Sequence, residues 1–351
     1  LEANSERTQH PIDKLSRSLK TEKSLNMLEN KNLLITGGAG FIGSNLIERF
    51  LQQNNRIVCL DNLATGKLKN IEPYFSNPDF KFIEGDIRDI ETCHQAMEGI
   101  DIVIHQAAMG SVPRSIKDPK TTNEVNISGF VNMLIATKEA GIKRFVYAAS
   151  SSTYGDHPTL PKVEDQIGRP LSPYAVTKYV NELYAKVFSD LYGTEVIGLR
   201  YFNVFGRRQD PDGAYAAAIP KFIRLLVDHK SPMIYGDGEQ SRDFTYIDNV
   251  IQANELAATT TNKDALNTVY NVAFGESTTV NYLIDILKIN LGQFDPEILN
   301  VNPVHEPVRL GDILHSLASI EKAHKLLDFQ PKFSIKDGLE KAIQWYWENL
   351  R

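Results

Sequence analysis

The sequence predicts an α/β protein: a doubly wound parallel sheet followed by a smaller, mostly helical C-terminal lobe. Three observations carry this. Apolar, β-favouring runs alternate with helix-period segments through roughly the first two hundred residues. A glycine-rich turn directly follows the first of these runs. After Gly206 the texture changes to loop-rich and helical sequence. The runs are continuously apolar, as strands are when helices cover both faces of a parallel sheet.

The first strand reads as Asn32-Leu33-Leu34-Ile35-Thr36 and the second as Arg56-Ile57-Val58-Cys59-Leu60. Further strands are expected over Phe80 to Ile83, Asp101 to His105, Arg144 to Ser150 and Val196 to Phe202, with helices from about Phe41, Thr121 and Tyr174. Beyond Gly206, helical patterns resume near Ala214, Tyr246, Thr279, Ser319 and Ile335, and a run such as Val269 to Phe274 is expected to rejoin the first domain. The expected division is an N-terminal extension over 1–30, a first domain over 31–206 and a second lobe over 207–351, with segments near 244–275 returning to the first domain.

Composition narrows the function. At 351 residues the chain exceeds one small core, and 42% hydrophobic with 23% charged residues is globular and argues against disorder. A net charge of −6 with scattered Lys and Arg offers no stripe for a nucleic-acid backbone. No apolar run reaches the about eighteen residues needed to span a membrane. Two cysteines, Cys59 in a strand and Cys93 in a helix, read as buried inert thiols of a reducing compartment. Leu1 to Asn30 is polar and lacks the apolar centre of a signal peptide, so a flexible or helical extension and a cytoplasmic protein are expected. No paired Cys-x-x-Cys or H-E-x-x-H supports a metal site.

Gly37-Gly38-Ala39-Gly40-Phe41-Ile42-Gly43 lies between the first strand and the first helix and matches G-x-G-x-x-G. Glycine lets the backbone approach a pyrophosphate, and the free N–H groups at the helix start stabilise its charge. Asp61 ends the second strand, where a carboxylate accepts hydrogen bonds from an adenosine ribose, which favours NAD over NADP. This is a Rossmann-like arrangement. Asp86 and Ile87 follow the third strand and are placed to contact the adenine. Gln106, Ala107 and Ala108 follow the fourth, where small residues let the backbone come close to a flat ligand; His105 is expected to be structural. Tyr174 and Lys178 stand four residues apart, one face of a helix, so an ammonium near the phenol can make it a general base by lowering its pKa.

These residues resemble the extended short-chain dehydrogenases/reductases, specifically UDP-sugar 4-epimerases and most closely the bacterial UDP-N-acetylglucosamine 4-epimerases. The resemblance runs from about Lys31 to the C-terminus. Besides the glycine turn and the Tyr174 to Lys178 stretch, it is carried by Asp61-Asn62, Gly85-Asp86-Ile87-Arg88-Asp89, His105-Gln106-Ala107-Ala108, Ser150-Ser151-Ser152-Thr153-Tyr154-Gly155, Arg200-Tyr201-Phe202-Asn203-Val204-Phe205-Gly206 and Arg309-Leu310-Gly311-Asp312. It implies that Tyr174 is the base, that Lys178 holds the nicotinamide ribose and that Ser150 hydrogen-bonds the reacting hydroxyl. Asn62, Thr65, Gly66, Asn126 and Tyr201 would add to the cofactor cleft, and Ser152 would contact the sugar. In the second lobe Asn203 would meet a UDP phosphate or the sugar, Arg242 and Arg309 the diphosphate, Asp312 the uridine ribose and Tyr235 the uracil.

Dehydratase and decarboxylase relatives usually carry an acid just after the serine or threonine of this strand. Here Ser150-Ser151-Ser152-Thr153 has none. The resemblance therefore implies C4 epimerisation. A small residue at Ser316, supported by Gly110, Ser111, Gln209 and Ala217, would admit an N-acetyl group, so UDP-GlcNAc and UDP-GalNAc are the expected pair, with weaker turnover of UDP-Glc and UDP-Gal. A UDP-glucose 4-epimerase, a UDP-sugar C4 oxidoreductase that releases its product and a non-catalytic NAD-binding regulator are the alternatives. The helices near Asn126 to Glu139 and Tyr174 to Ser189 resemble those of a four-helix homodimer interface in that family.

Overall fold

The computed structural model describes residues 28–211, 217–308 and 314–350. Seven parallel strands make the central sheet: β1 (Asn32–Thr36), β2 (Arg56–Asp61), β3 (Phe80–Glu84), β4 (Ile102–His105), β5 (Arg144–Ser150), β6 (Glu195–Tyr201) and, after the short strands β7 (Val204–Phe205), β8 (Met233–Tyr235), β9 (Ser241–Arg242) and β10 (Thr245–Tyr246), the edge strand β11 (Thr268–Val272). The order is β3-β2-β1-β4-β5-β6-β11, so the direction of winding reverses between β1 and β4. Two further short strands, β12 (Thr278–Thr279) and β13 (Val304–Glu306), pair with β9 and β8.

Side-chain alternation explains why apolar strands without an obvious period form this sheet. Leu33 and Ile35 enter one core with Cys59, Ile104 and Val146, whereas Leu34 enters the opposite core with Leu60, Val103 and Phe145. The first core is covered by the helices Phe41–Leu51 and Ile247–Thr259, the second by Ile90–Ala96, Phe130–Glu139 and Pro173–Tyr192. The helix Pro173–Tyr192 starts sharply because Ser172 Oγ accepts the Ala175 N–H (3.1 Å) and Pro173 has no N–H to satisfy. It ends at Gly193, whose φ of +71° suits a residue without Cβ.

The second lobe packs the helices Ala218–Val227, Val280–Leu291 and Ile335–Leu350 against one another. The helix expected near Ala214 is seen from Ala218, with residues 212–216 outside the described ones, and that expected near Ser319 begins at Glu321. Unforeseen in the sequence is a π-helical turn, Glu124–Gly129, ahead of Phe130–Glu139. Among the described residues no helix is long and apolar enough to cross a membrane.

Candidate active site

A cleft of about 600 Å³ opens at the carboxyl end of the sheet, where β1 and β4 part. Two glycines make it. Gly37 has φ +67°, and a Cβ there would stand 2.7 Å from Ala107 N; a Cβ at Gly43 would stand 2.2 Å from Gly37 O. Gly40 precedes the helix Phe41–Leu51 in extended conformation, and Phe41 and Ile42 line the opening. Asp61, nearly buried, is bound on both oxygens, by the glycine turn and by its own loop: Ala39 N–H donates to Oδ2 (3.0 Å) and Leu63 N–H to Oδ1 (2.8 Å). Burial still raises its pKa above the usual carboxylate range. Asp61 lines the cleft, and each carboxylate oxygen has acceptor capacity beyond its one N–H bond, as a ribose diol requires.

Asn62, Thr65, Asp86 and Ile87 line the same end. Asn62 donates to Asp86 (2.8 Å), and Arg88 grips Asp86 at 2.7 Å and holds its carboxyl down at about 2, so this wall is pre-set. Gly66 does not line the cleft; its α-carbon lies so close behind the turn that a Cβ would stand 2.8 Å from Ala39 Cβ. Asn126 is also behind the wall. Its buried amide, aimed by the π turn, accepts from Met109 N–H (2.7 Å) and donates to Thr177 Oγ1 (3.1 Å), tying the loop after β4 to the helix Pro173–Tyr192. A turn of this kind is not readable from composition, since its signal is one carbonyl left free for a longer bond.

At the floor stand Ser150, Tyr174 and Lys178, with Gln106, Ala107, Ala108 and Tyr201 beside them. Ser150 lies beside the Tyr174 phenol and pulls its pKa down, and its Oγ accepts from Ser152 Oγ (2.9 Å) and Ser152 N–H (3.2 Å). Ser152 thus points at Ser150 and does not line the cleft. Tyr201 Oη is held by Asn254 (2.9 Å) and Gln106 (3.1 Å). Lys178 donates to Ala148 O (2.8 Å) and lies 6.0 Å from the Tyr174 ring centre. The expected lowering of the phenol pKa by Lys178 is not found. Burial raises the phenol and neighbouring Ser150 opposes that shift, while the ammonium is turned to a backbone carbonyl. Burial also brings Lys178 down to about 8, with Glu182 acting against that shift. His105, bonded to Thr36 Oγ1 (2.8 Å) and stacked on Phe145, is driven to about 3 and stays neutral, a structural residue.

Toward the second lobe the cleft passes Gly110, Ser111, Asn203, Gln209 and Ala217 and meets a second cavity of about 270 Å³, with Asn203, Gln209 and Ala217 common to both. Tyr235 and Arg242 line that cavity among Phe222, Phe244, Val280 and Leu283. Gln209 is held by Val204 O (2.9 Å) and Asn203 by Asp243 O (2.9 Å). Asp243, which sequence reading did not single out, is fully buried under this junction. Its carboxylate accepts N–H groups from Phe274 (3.1 Å), Gly275 (3.2 Å) and Ala318 (3.2 Å). Ser316 is half-buried, its N–H bound to Ser241 O (3.1 Å), and it lines neither cavity among the described residues. Arg309 and Asp312 lie outside the described residues.

A glycine turn that needs its glycines, a ribose-type carboxylate and a Tyr–Lys–Ser floor fit the class of enzymes that bind a nicotinamide dinucleotide and oxidise or reduce an alcohol carbon. Residues 33–273 match the model of the NAD dependent epimerase/dehydratase family. A putative UDP-glucose 4-epimerase of Methanocaldococcus jannaschii is 36% identical over 321 residues, 91% of this chain and 99% of that one. The structure is similar to a UDP-N-acetylglucosamine 4-epimerase from Methanobrevibacter ruminantium in complex with UDP-N-acetylmuramic acid (TM-score 0.83, 38% identical, 92% of this chain and 98% of that one). It is also similar to a UDP-glucuronic acid 4-epimerase from Bacillus cereus in complex with UDP-glucuronic acid and NAD (TM-score 0.80, 32% identical, 90% and 99%). The chain belongs to the NAD dependent epimerase/dehydratase family, as an enzyme of epimerase type with NAD as its cofactor.

Proposed function

We propose that the protein is a UDP-sugar 4-epimerase that interconverts UDP-GlcNAc and UDP-GalNAc, with weaker turnover of UDP-Glc and UDP-Gal. The observation that carries the substrate choice is the lining of the first cleft, which holds the small Gly110, Ser111 and Ala217 in one cavity with Ser150 and Tyr174. Small residues there leave room for a 2-acetamido group. The reaction type follows from the relatives' activities and from the absence of a carboxylate in the run Ser150 to Thr153. Epimerisation needs one proton relay, which one phenol can supply.

In this reading Gly37, Gly40, Asp61, Asp86 and Lys178 would hold the dinucleotide. Tyr235 and Arg242, with Arg309 and Asp312, hold the UDP. When bound, NAD supplies the hydride acceptor at C4 and then returns the same hydride. Tyr174 removes the 4-OH proton while Ser150 positions that hydroxyl, and the phenol gives the proton back after the 4-keto sugar has turned over in the cleft. The proton acceptor is the phenolate form of Tyr174, and the Lys178 ammonium stands 6.0 Å from its ring. Because the cofactor ends each cycle as it began, turnover should need no added oxidant. A cytoplasmic homodimer serving surface-polysaccharide precursors is part of the proposal. The dimer draws support from Val176, Leu183, Val187 and Leu191, apolar residues exposed along one face of the helix Pro173–Tyr192.

The test is to incubate the as-purified protein, without added NAD, with UDP-Glc, UDP-GlcNAc and UDP-glucuronic acid in turn and to follow the C4 configuration by proton NMR. Epimerisation fastest with UDP-GlcNAc is expected. Faster turnover of either other sugar would overturn the substrate choice, and a requirement for stoichiometric NAD would make the protein an oxidoreductase.

A further inference from the structure

We infer that Glu182 is a positioning residue for the proposed reaction: held by Arg200, its carboxylate keeps the buried Lys178 ammonium charged beside Tyr174. The inference rests on the roles proposed for Tyr174 and Lys178 and adds the group that supports them. Tyr174, Lys178 and Glu182 follow one another four residues apart on the helix Pro173–Tyr192, so they share one face. That face meets the sheet, since Lys178 bonds to β5 and Glu182 to β6. Tyr174 and Lys178 line the cleft, and Glu182 stands behind them. Arg200 Nε donates to its Oε1 (2.9 Å) and Arg200 Nη2 to its Oε2 (2.7 Å), with the arginine and glutamate side chains only 3% and 8% exposed.

Lys178 reaches β5 at Ala148 O (2.8 Å), and Arg200 of β6 stands in register with the next residue, Ala149. Two cations are therefore buried under one helix, on adjacent strands. A buried charge is costly unless a counter-charge stands by, and Glu182 is the acid that the helix supplies to both. The other titratable groups packed around this cluster bring the ammonium no negative charge. His105 of β4 is neutral, and burial keeps Tyr147 of β5 and Tyr154 of the turn Ser151–Tyr154 un-ionised. Glu164 meets Arg200 through its backbone oxygen (2.8 Å), while its carboxylate accepts the Asn271 N–H (2.9 Å). Among the described residues Glu182 is the acid that acts on Lys178. Arg200, fixed by Glu164 O and by the Tyr154 ring 4.9 Å away, grips both carboxylate oxygens and so holds them on the face shared with Lys178. A fork that only fastened helix to strand would serve at any position along the helix; this one lies one turn beyond the ammonium.

The test follows Lys178 in two ways in the full chain with its NAD. One is the pH dependence of kcat/KM for the fastest UDP-sugar. The other is a carbon NMR titration of the lysine ε-carbons, the Lys178 signal being assigned by its loss in Lys178→Met. In Glu182→Gln both midpoints should fall from about pH 8 to about pH 7, because the ammonium has lost its counter-charge. Glu182→Asp keeps the charge and should bring both midpoints back toward the parent values. If Glu182→Gln is too unstable to assay, Glu182→Gln combined with Arg200→Gln removes both charges of the fork together, and the midpoints should still lie below the parent's. A loss of kcat equal at every pH, with unmoved midpoints, would make the Arg200–Glu182 pair a structural fastening and overturn the inference. A lysine midpoint that falls while the kinetic limb stays would also overturn it, leaving Glu182 without a part in the reaction. A parent that epimerises no UDP-sugar would instead overturn the proposed function, and the lysine titration would still decide whether Glu182 holds the charge.

Discussion

Lys178 is an ammonium that burial discourages, brought to about 8 by desolvation with only Glu182 opposing. Its folded pKa is lowered, so its charge is present below about pH 8 and lost as pH rises through that value. If the charged form supports proton removal by Tyr174, log kcat/KM should fall with unit slope above about pH 8, and an alkaline limb that begins only near pH 10 would contradict this. Tyr174→Phe should cost about 10²- to 10⁴-fold in kcat, with NAD still bound by absorbance and fluorescence. A variant with normal epimerisation would remove the phenol from the reaction. The spacing of Tyr174 and Lys178 was legible because helical periodicity alone puts residues four apart on one face. The orientation of the ammonium toward Ala148 O was not, because it depends on a neighbouring strand thirty positions earlier in the chain.

At the scale of elements, apolar runs revealed the strands of the sheet, including the late Val269 to Phe274 run that supplies β11, because burial on both faces leaves few polar positions. The short strands of the second lobe were not readable. Pieces such as β9 and β12 are two residues long and are held by tertiary partners. Asp243 is one such partner, and its carboxyl is pushed up to about 7 by burial, with Glu276 adding to the shift and three backbone N–H groups opposing it. A raised folded pKa means stability that is fully present below the unfolded value of about 4 and lost as pH rises through about 7. Asp243→Asn abolishes that titration. The stability difference between parent and variant should therefore move in the variant's favour by up to about 4 kcal/mol between pH 4 and pH 7.5, read by urea denaturation. A difference that is flat with pH would show that Asp243 keeps its charge in both states.

For the whole molecule, the exposed apolar positions Val176, Leu183, Val187 and Leu191 recur at helical spacing on the same helix that carries Tyr174 and Lys178. Pairing of this face in a homodimer would place assembly and chemistry on opposite sides of one helix. Leu183 is 50% exposed, so Leu183→Glu should leave the isolated fold intact while shifting the protein from dimer to monomer in light scattering. A variant that remains as dimeric as the parent would place the interface elsewhere. The two cavities meet where sequence reading expected sugar and phosphate contacts, yet Ser316 lines neither of them. Motif order located the lobe but not the path of a segment fixed by Asn271 and Asp243 from behind.

The double attachment of Asp61 has an evolutionary reach. The carboxylate that lines the cleft also ties the glycine turn, through Ala39 on one oxygen, to the loop after β2, through Leu63 on the other. Drift toward a phosphorylated dinucleotide would have to remove an acid that the loop needs in order to close. Cofactor preference in this lineage is thus inherited together with foldability, and a redesign for the other cofactor must rebuild the loops after β1 and β2 before it alters the charge at position 61.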